Sequence, residues 1–206
     1  MKSKQLYYAA WWRRFLAFLI DLIVFTPLVI FQTKAMQSSP RLFAVILILF
    51  SFIMTGYWVF CHGRWGKTIG KKLTGTYVAT LDGNHISWKQ AFLRSSVDIV
   101  FAIIASTILL PIYLSIPIEG YAELTSRDRF ELVKSFWPVW YPYFNNTQQI
   151  WIWSEFIVIL TNKRKRALHD FIAGTVVLQN KPSRSQARAE DPYSIDTSKE
   201  MNKMKF

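Results

Sequence analysis

Positions 42–61 read LFAVILILFSFIMTGYWVFC, twenty consecutive residues without a charged side chain. The hydrocarbon core of a bilayer is about 30 Å thick, and about 20 residues of α-helix cross it. A second charge-free run of the same length, IVFAIIASTILLPIYLSIPI, occupies positions 99–118. Two such runs in a chain of 206 residues are more than a soluble core explains, so both are interpreted as transmembrane helices.

Two further segments are candidate spans, and each contains an acidic residue. Positions 15–31 read FLAFLIDLIVFTPLVIF and include Asp21. The other candidate has an apolar part, IWIWSEFIVIL, that includes Glu155 and is too short to cross a bilayer alone. It is either a half-buried segment or, extended back over polar residues to 144–160, a full span.

The distribution of basic residues favours four spans. Four spans place 20 of the 25 Lys and Arg residues on the side of both termini. Basic residues accumulate on the cytoplasmic side of membrane proteins, so both termini are predicted to be cytoplasmic. Three spans would instead put the KRKR cluster at 163–166 outside. The net charge of +12 is therefore assigned to orientation and to anionic lipid headgroups, not to nucleic acid.

The predicted fold class is an all-α membrane protein with four transmembrane helices and a basic cytoplasmic loop at 62–98. In this loop, 76–81 has the composition of a short strand, and Asp-Gly-Asn at 82–84 is a turn signal. We expect 85–87 to return as the second strand of a β-hairpin. Ser87 then caps a short amphipathic surface helix over 88–95.

One transmembrane domain, 1–178, accounts for most of the chain. Residues 119–149 form an insertion on the other side of the membrane and lie partly against it. The segment 167–178 is too short to span and is expected to pack under the bundle. The tail, 179–206, is polar without periodicity and is predicted to be disordered.

Asp21 is the most informative charged residue, because an ionisable side chain at the centre of a span costs about 2.5–3.5 kcal/mol on insertion scales. Arg14 lies seven residues earlier, on nearly the same helix face. Two interpretations stay open: Asp21 is a proton or cation site that titrates during transport, or it accepts hydrogen bonds that hold helices together. Glu155 raises the same question, whereas Asp98 lies at a span end and is expected to be solvated.

Four segments resemble the RDD family of multi-pass membrane proteins, which is named for one arginine and two aspartates: RRFLAFLID at 13–21, GKTIGKKLTG at 66–75, AFLRS at 91–95 and RALHDFIAGT at 166–175. The resemblance covers 10–115 and 150–178 and leaves out the insertion. It implies that Arg14 is the family's arginine and Asp21 its first aspartate. Asp170 fits the second aspartate better than Asp98 does, because its surroundings match more closely.

The resemblance implies a transporter of an undefined ligand, or a cation/proton exchanger. In that mechanism Asp21 alternates between protonated and cation-bound states, and Arg14 pairs with Asp170 to close the inner side. Glu155, Asp98 and His169 are secondary candidates. Four helices are few for alternating access, which is compatible with a homodimer. The alternative is a non-transporting scaffold or accessory factor that recruits partners.

The glycines and lysines of the loop are interpreted as a tight turn that faces anionic headgroups, and these residues are Gly66, Lys67, Gly70, Lys71 and Lys72. The triplet Gly-Lys-Thr at 66–68 resembles the end of a phosphate-binding loop. That motif also requires a glycine where Cys61 stands, and a strand where this chain has an apolar helix. Nucleotide binding is therefore not expected.

Other classes of function find no support in the sequence. One cysteine and three scattered histidines give no metal-ligand spacing, so no metal or cofactor is expected. No nucleophile elbow or paired carboxylates are present, so an enzyme is not expected. The lack of a disulfide framework and the family resemblance favour the inner membrane of a bacterium.

Overall fold

The computed structural model describes residues 6–180. The described chain forms, in order, α1 (Trp11–Ser38), α2 (Pro40–Trp65), α3 (Ile69–Leu73), β1 (Thr76–Thr80), α4 (Trp88–Ser115), a 3₁₀ turn (Tyr121–Glu123), α5 (Ser126–Ser135), α6 (Tyr141–Thr161), α7 (Leu168–Ala173) and β2 (Thr175–Gln179).

Three helices, α1, α2 and α4, are long and apolar enough to cross a membrane. Large apolar side chains cover their outer surface; Ile23 and Phe52, for example, are about 70% exposed. Such a surface is suited to lipid, where the backbone groups of a helix are satisfied internally. Three of the four predicted spans are thus confirmed. The fourth, 144–160, lies within the 21-residue helix α6, and its crossing of the membrane stays a prediction.

The helix that contains the third span begins earlier than the predicted span, at Trp88. The expected surface helix over 88–95 is wrong as a separate element, because it is continuous with the span in α4. Ser87 does cap this helix: its Oγ accepts from the Gln90 amide at 3.2 Å, and the Gln90 side chain accepts from the Ser87 amide at 3.0 Å. The helix ends at Ser115, and Ile116 is extended as expected for a residue before proline.

The predicted β-hairpin is also wrong, although its first strand and its turn are present. The amide of Gly83 donates to the Thr80 carbonyl at 2.9 Å, but 85–87 continue into α4. Strand β1 pairs instead with β2, antiparallel, with Val78 opposite Val177. Strand β2 is buried along its whole length and has the apolar centre Val-Val-Leu, so it covers β1 better than the polar residues after the turn.

Strand β2 also shortens the predicted tail. Gln179 is the last residue of the strand, and the Asn180 amide donates to the Gly75 carbonyl at 2.9 Å. The remaining residues of the predicted tail, 181–206, lie outside the described residues. The segment 167–178 forms α7 and most of β2, and α7 packs against α4 and α6.

The insertion packs at one end of the bundle, which we call the apolar end. Its core is a cluster contributed by α2, α4, the 3₁₀ turn and α5, namely Phe43, Ala44, Ile112, Tyr113, Ile116, Tyr121 and Val133. The rings of Phe43 and Tyr113 meet edge to face at 4.6 Å between centroids. At the other end, α3, α7 and the sheet cover α1, α2 and α4. We call it the polar end because it holds Arg14, Asp21, Lys71, Arg94 and Asp170.

Candidate functional site

Asp21 is buried in α1, and three donors meet its carboxylate. The Thr68 hydroxyl donates to Oδ2 at 2.6 Å, while the Gly70 amide and the Tyr57 hydroxyl donate to Oδ1 at 2.8 and 3.0 Å. The donors come from α2 and from the start of α3. The geometry therefore favours the structural interpretation of Asp21, in which it joins three segments.

Gly70 is the residue that allows this close approach. A Cβ atom at this position would lie 2.0 Å from the carbonyl oxygen of Ala17 and 3.0 Å from Cγ of Asp21. Only glycine lets backbone approach backbone at such a distance. The expectation that Gly70 faces headgroups is therefore corrected: it is buried against α1. Gly66, also buried, ends α2 with a φ of 67°.

Asp170, at the start of α7, is fully buried between two arginines. Its Oδ1 pairs with Nη1 of Arg94, and its Oδ2 accepts from Nη1 of Arg14 at 3.1 Å. The Ala167 amide and the Thr175 hydroxyl also donate to it, at 3.0 and 3.1 Å. Burial alone would raise the pKa of Asp170, but the charges of Arg94 and Arg14 and the hydrogen bond from the Ala167 amide outweigh it and hold that pKa well below its usual range. The predicted contact between Arg14 and Asp170 is present.

Arg94 is the site residue that sequence reasoning missed. It was assigned to a surface helix, where an arginine is solvated, but it is buried on α4. Besides Asp170, its Nη1 donates to the Thr175 hydroxyl at 3.0 Å, and its Nη2 lies 2.6 Å from Nε2 of His169. Its presence in the AFLRS segment that resembles the family was the available signal.

His169 connects Arg94 to Glu155 on α6. A guanidinium only donates, so Nε2 of His169 is the acceptor and the ring proton lies on Nδ1. Nδ1 contacts Oε2 of Glu155, and the His169 amide donates to Oε1 at 3.0 Å. Glu155 and His169 are thus joined by one hydrogen bond through the His169 amide and by one close ring contact, and Arg94 determines the tautomer of the ring.

Asp98 is not solvated at a span end as expected, because α4 continues through this position. Its Oδ1 accepts from the indole nitrogen of Trp151 on α6 at 3.0 Å. Within residues 6–180, no basic side chain forms an ion pair with it. Asp98 therefore presents a carboxylate that lacks a cationic partner in the described chain.

A cavity of about 220 Å³ lies among these residues at the polar end. Aromatic side chains, including Trp58 and Phe156, form part of its wall. The ionisable residues that line it come from α1, α2, α3, α4, α6 and α7 and include Arg14, His62, Lys71, Asp98, Glu155 and His169. Asp21 and Arg94 complete its charged lining. The cavity thus combines an aromatic wall with a lining that is rich in ionisable groups.

Lys71 belongs to this cavity, which corrects the expectation that it faces headgroups. Burial, with a further contribution from Arg94, lowers the pKa of Lys71 to about 8. Helix α3 packs against α1, and Lys71 lies in the wall of the cavity. Lys67 and Lys72 are exposed and remain candidates for headgroup contact.

Several cavity-lining nitrogens are buried without a hydrogen-bond partner in the described part of the chain. They are Nε and Nη2 of Arg14 and both ring nitrogens of His62. Most buried polar atoms in proteins are hydrogen-bonded, so each exception calls for an explanation. No cluster of three metal-ligating side chains occurs within residues 6–180.

Comparison with known proteins agrees with the sequence resemblance. No curated protein and no solved structure matches the chain. The profile of the RDD family matches residues 8–174, a range that includes Arg14, Asp21 and Asp170 as well as the insertion. The match extends over most of the chain, and three of its helices can cross a membrane. The chain therefore belongs to the RDD family and is an integral membrane protein.

Proposed function

We propose that this protein moves a small charged solute across the membrane and binds it in the cavity at the polar end. The observation that carries the proposal is the cavity itself, lined by ionisable side chains from six helices. Charged side chains within membrane segments are costly and commonly mark solute or proton pathways. The volume of about 220 Å³ suits a small solute.

In this proposal the proton-binding role moves from Asp21 to Glu155. The oxygens of Asp21 already accept three hydrogen bonds. Glu155 instead contacts a histidine, the side chain whose ordinary pKa lies nearest neutrality. In the proposed mechanism the transported proton binds Glu155, which lines the cavity. A proton on Glu155 weakens its contact with Nδ1 of His169 and so weakens one link between α6 and α7 in the cavity wall.

The orientation follows from the charge distribution. With α6 as the fourth span, the polar end and both termini face the cytoplasm, as the positive-inside rule requires. The solute then exchanges with the cytoplasm next to α3 and α7. The inner membrane of a bacterium is the proposed location.

The test is proton movement in proteoliposomes, followed with an internal pH dye after the addition of sodium, potassium or small-anion salts. The native protein is compared with Glu155→Gln at equal folded amount. The control is Glu131→Gln, an exposed glutamate at the apolar end whose side chain is 58% exposed. We expect solute-dependent proton movement in the native protein and in the control, and its loss in Glu155→Gln. Absence of movement with every salt would refute transport.

The scaffold alternative is supported by a different observation. The insertion presents exposed apolar side chains outside the long spans, among them Val139, which is 91% exposed, and Tyr143, which is 72% exposed. A surface of this kind suits contact with lipid or with another protein. If the native protein moves no proton with any salt, this alternative becomes the leading one. The experiment is then to place a crosslinker at position 139 and to look for a protein that it captures in native membranes.

A further inference from the structure

The guanidinium of Arg14 has one nitrogen that is hydrogen-bonded and two that have no acceptor among the described residues. The side chain is only 8% exposed, and Nη1 donates to Oδ2 of Asp170 at 3.1 Å. Nε and Nη2 are buried and have no acceptor within residues 6–180. These two nitrogens lie on the same edge of the guanidinium plane. Together they form the two-pronged donor that matches the two oxygens of a carboxylate.

The neighbouring carboxylates do not supply this acceptor. Both oxygens of Asp170 are occupied, by Arg94 and the Thr175 hydroxyl on one side and by Nη1 of Arg14 with the Ala167 amide on the other. Oε1 of Glu155 accepts from the His169 amide, and its Oε2 lies against Nδ1 of His169 without completing a hydrogen bond in the described chain. Asp21 accepts its three hydrogen bonds from α2 and α3. A charged donor that is left unpaired in a buried place is unfavourable. The acceptor is therefore expected to come from a bound molecule.

Two more donors line the same cavity. His62 is 5% exposed, and neither of its ring nitrogens has a partner among the described residues. One of these nitrogens carries a proton even when the ring is neutral. Lys71 also lines the cavity, and its ammonium group forms no ion pair within the described range. Guanidinium, imidazole and ammonium together form an anion-binding wall.

Deepening the proposed function, on which this inference rests, we propose that the solute is a small carboxylate whose two oxygens are held by Nε and Nη2 of Arg14. A dianion such as phosphate is disfavoured because Asp98 and Glu155 also line the cavity. The aromatic wall accommodates a short apolar part of the molecule. His62 and Lys71 complete the set of donors to the carboxylate.

The experiment measures binding separately from transport. The full chain is reconstituted in nanodiscs, and its affinity for acetate, propionate and lactate is determined by competition against radiolabelled propionate. Sodium chloride and tetramethylammonium chloride at equal ionic strength are the reference salts. We expect saturable binding of the carboxylates that neither chloride salt displaces.

Arg14→Lys is the decisive variant, because lysine keeps the positive charge beside Asp170 but lacks the two-pronged edge. We expect its propionate affinity to fall at least about tenfold, since two charge-assisted hydrogen bonds are replaced by one. The matched control is Arg13→Lys, the same substitution at a residue that does not line the cavity. We expect it to bind propionate like the native protein.

A second variant keeps the inference testable if Arg14→Lys does not fold. His62→Phe keeps a planar aromatic ring at this position and removes two buried nitrogens that have no partner in the described chain, so folding is expected to persist. We expect several-fold weaker propionate binding. The inference is overturned if the folded native protein shows no saturable carboxylate binding, or if the folded cavity variants bind like the native protein.

The outcomes separate the two proposals. Carboxylate binding without any flux would support the inference and refute transport. Cation-dependent proton movement that none of the three carboxylates changes, in a protein that does not bind them, would support transport and refute the inference.

Discussion

Arg14 and Arg129 are both buried arginines, at opposite ends of the same bundle, and the chain uses them differently. At the apolar end, Nε of Arg129 donates to the Tyr121 carbonyl at 3.2 Å and Nη2 donates to the Ala122 carbonyl at 2.9 Å. At the polar end, the same two nitrogens of Arg14 have no acceptor within residues 6–180. Burial alone therefore does not mark a binding residue. Arg129 is satisfied by its own chain, whereas Arg14 keeps two donors that the described chain does not use and that we assign to the proposed ligand.

The two ends also differ in what holds them together. The apolar end is held together by side-chain packing around Tyr121 and Val133, where each contact contributes a small amount to the free energy of unfolding and the contacts add up. The polar end rests on ions removed from water, with Asp170 shared by Arg14 and Arg94. Removing one member of such a group leaves buried charges without a partner, which costs more than the pair itself contributes.

The largest expected effect comes from Asp170→Asn. It preserves the shape of the side chain but leaves two buried arginines facing each other without a negative charge. We expect a loss of about 3–5 kcal/mol in the free energy of unfolding, measured as a lower melting temperature and a lower folded yield from membranes. Val133→Ala at the apolar end is the comparison and should cost less. Equal melting of Asp170→Asn and the native protein would remove the distinction between the two ends.

A smaller effect is expected from Gly70→Ala. The added methyl group meets the Ala17 carbonyl oxygen at 2.0 Å, so α3 must move away from α1 and lengthen the hydrogen bond to Asp21. We expect a cost of about 1–3 kcal/mol, read from thermal unfolding in detergent. Gly56→Ala on α2 is the matched control, because nothing lies within 4 Å of its added Cβ atom. A stable Gly70→Ala protein would show that the close approach is not required.

The smallest effect concerns Lys71 and depends on pH. Its pKa falls from 10.5 to about 8 in the folded protein, chiefly through burial, so the unfolded chain binds more protons between these values. Above pH 10.5, Lys71 is neutral in the folded and the unfolded chain, and the free energy of unfolding is highest with respect to this group. As the pH falls through about 8, the buried side chain becomes charged and this stability is lost. Lys71→Met should therefore melt higher than the native protein at pH 7, and this advantage should shrink by pH 10.

The control for this prediction is Lys134→Met at the apolar end, where the side chain is 52% exposed. Its melting temperature relative to the native protein should not change with pH. A Lys71→Met advantage that stays constant from pH 7 to pH 10 would contradict the assigned proton equilibrium.

Sequence reasoning succeeded where the signal was local. The apolar runs at 42–61 and 99–118 lie within α2 and largely within α4, and the cap at Ser87 is present. It also anticipated the contact between Arg14 and Asp170, through the family resemblance. It failed where the partner of a segment lies far away in the sequence. The segment 85–87 was predicted to pair with β1 because it is close in sequence, but β1 pairs with β2, almost a hundred residues later.

The sequence by itself determined that this chain enters a membrane, because hydropathy adds up residue by residue along a helix and needs no partner. It also determined that Asp21 and Arg14 lie on one face of the same helix. Only the tertiary structure decided what these charges do. Asp21 receives its donors from residues up to 49 positions away, and Arg14 meets Asp170 across 156 positions. The energy of a buried charge depends on which donors and acceptors surround it in space, and folding alone assembles that environment.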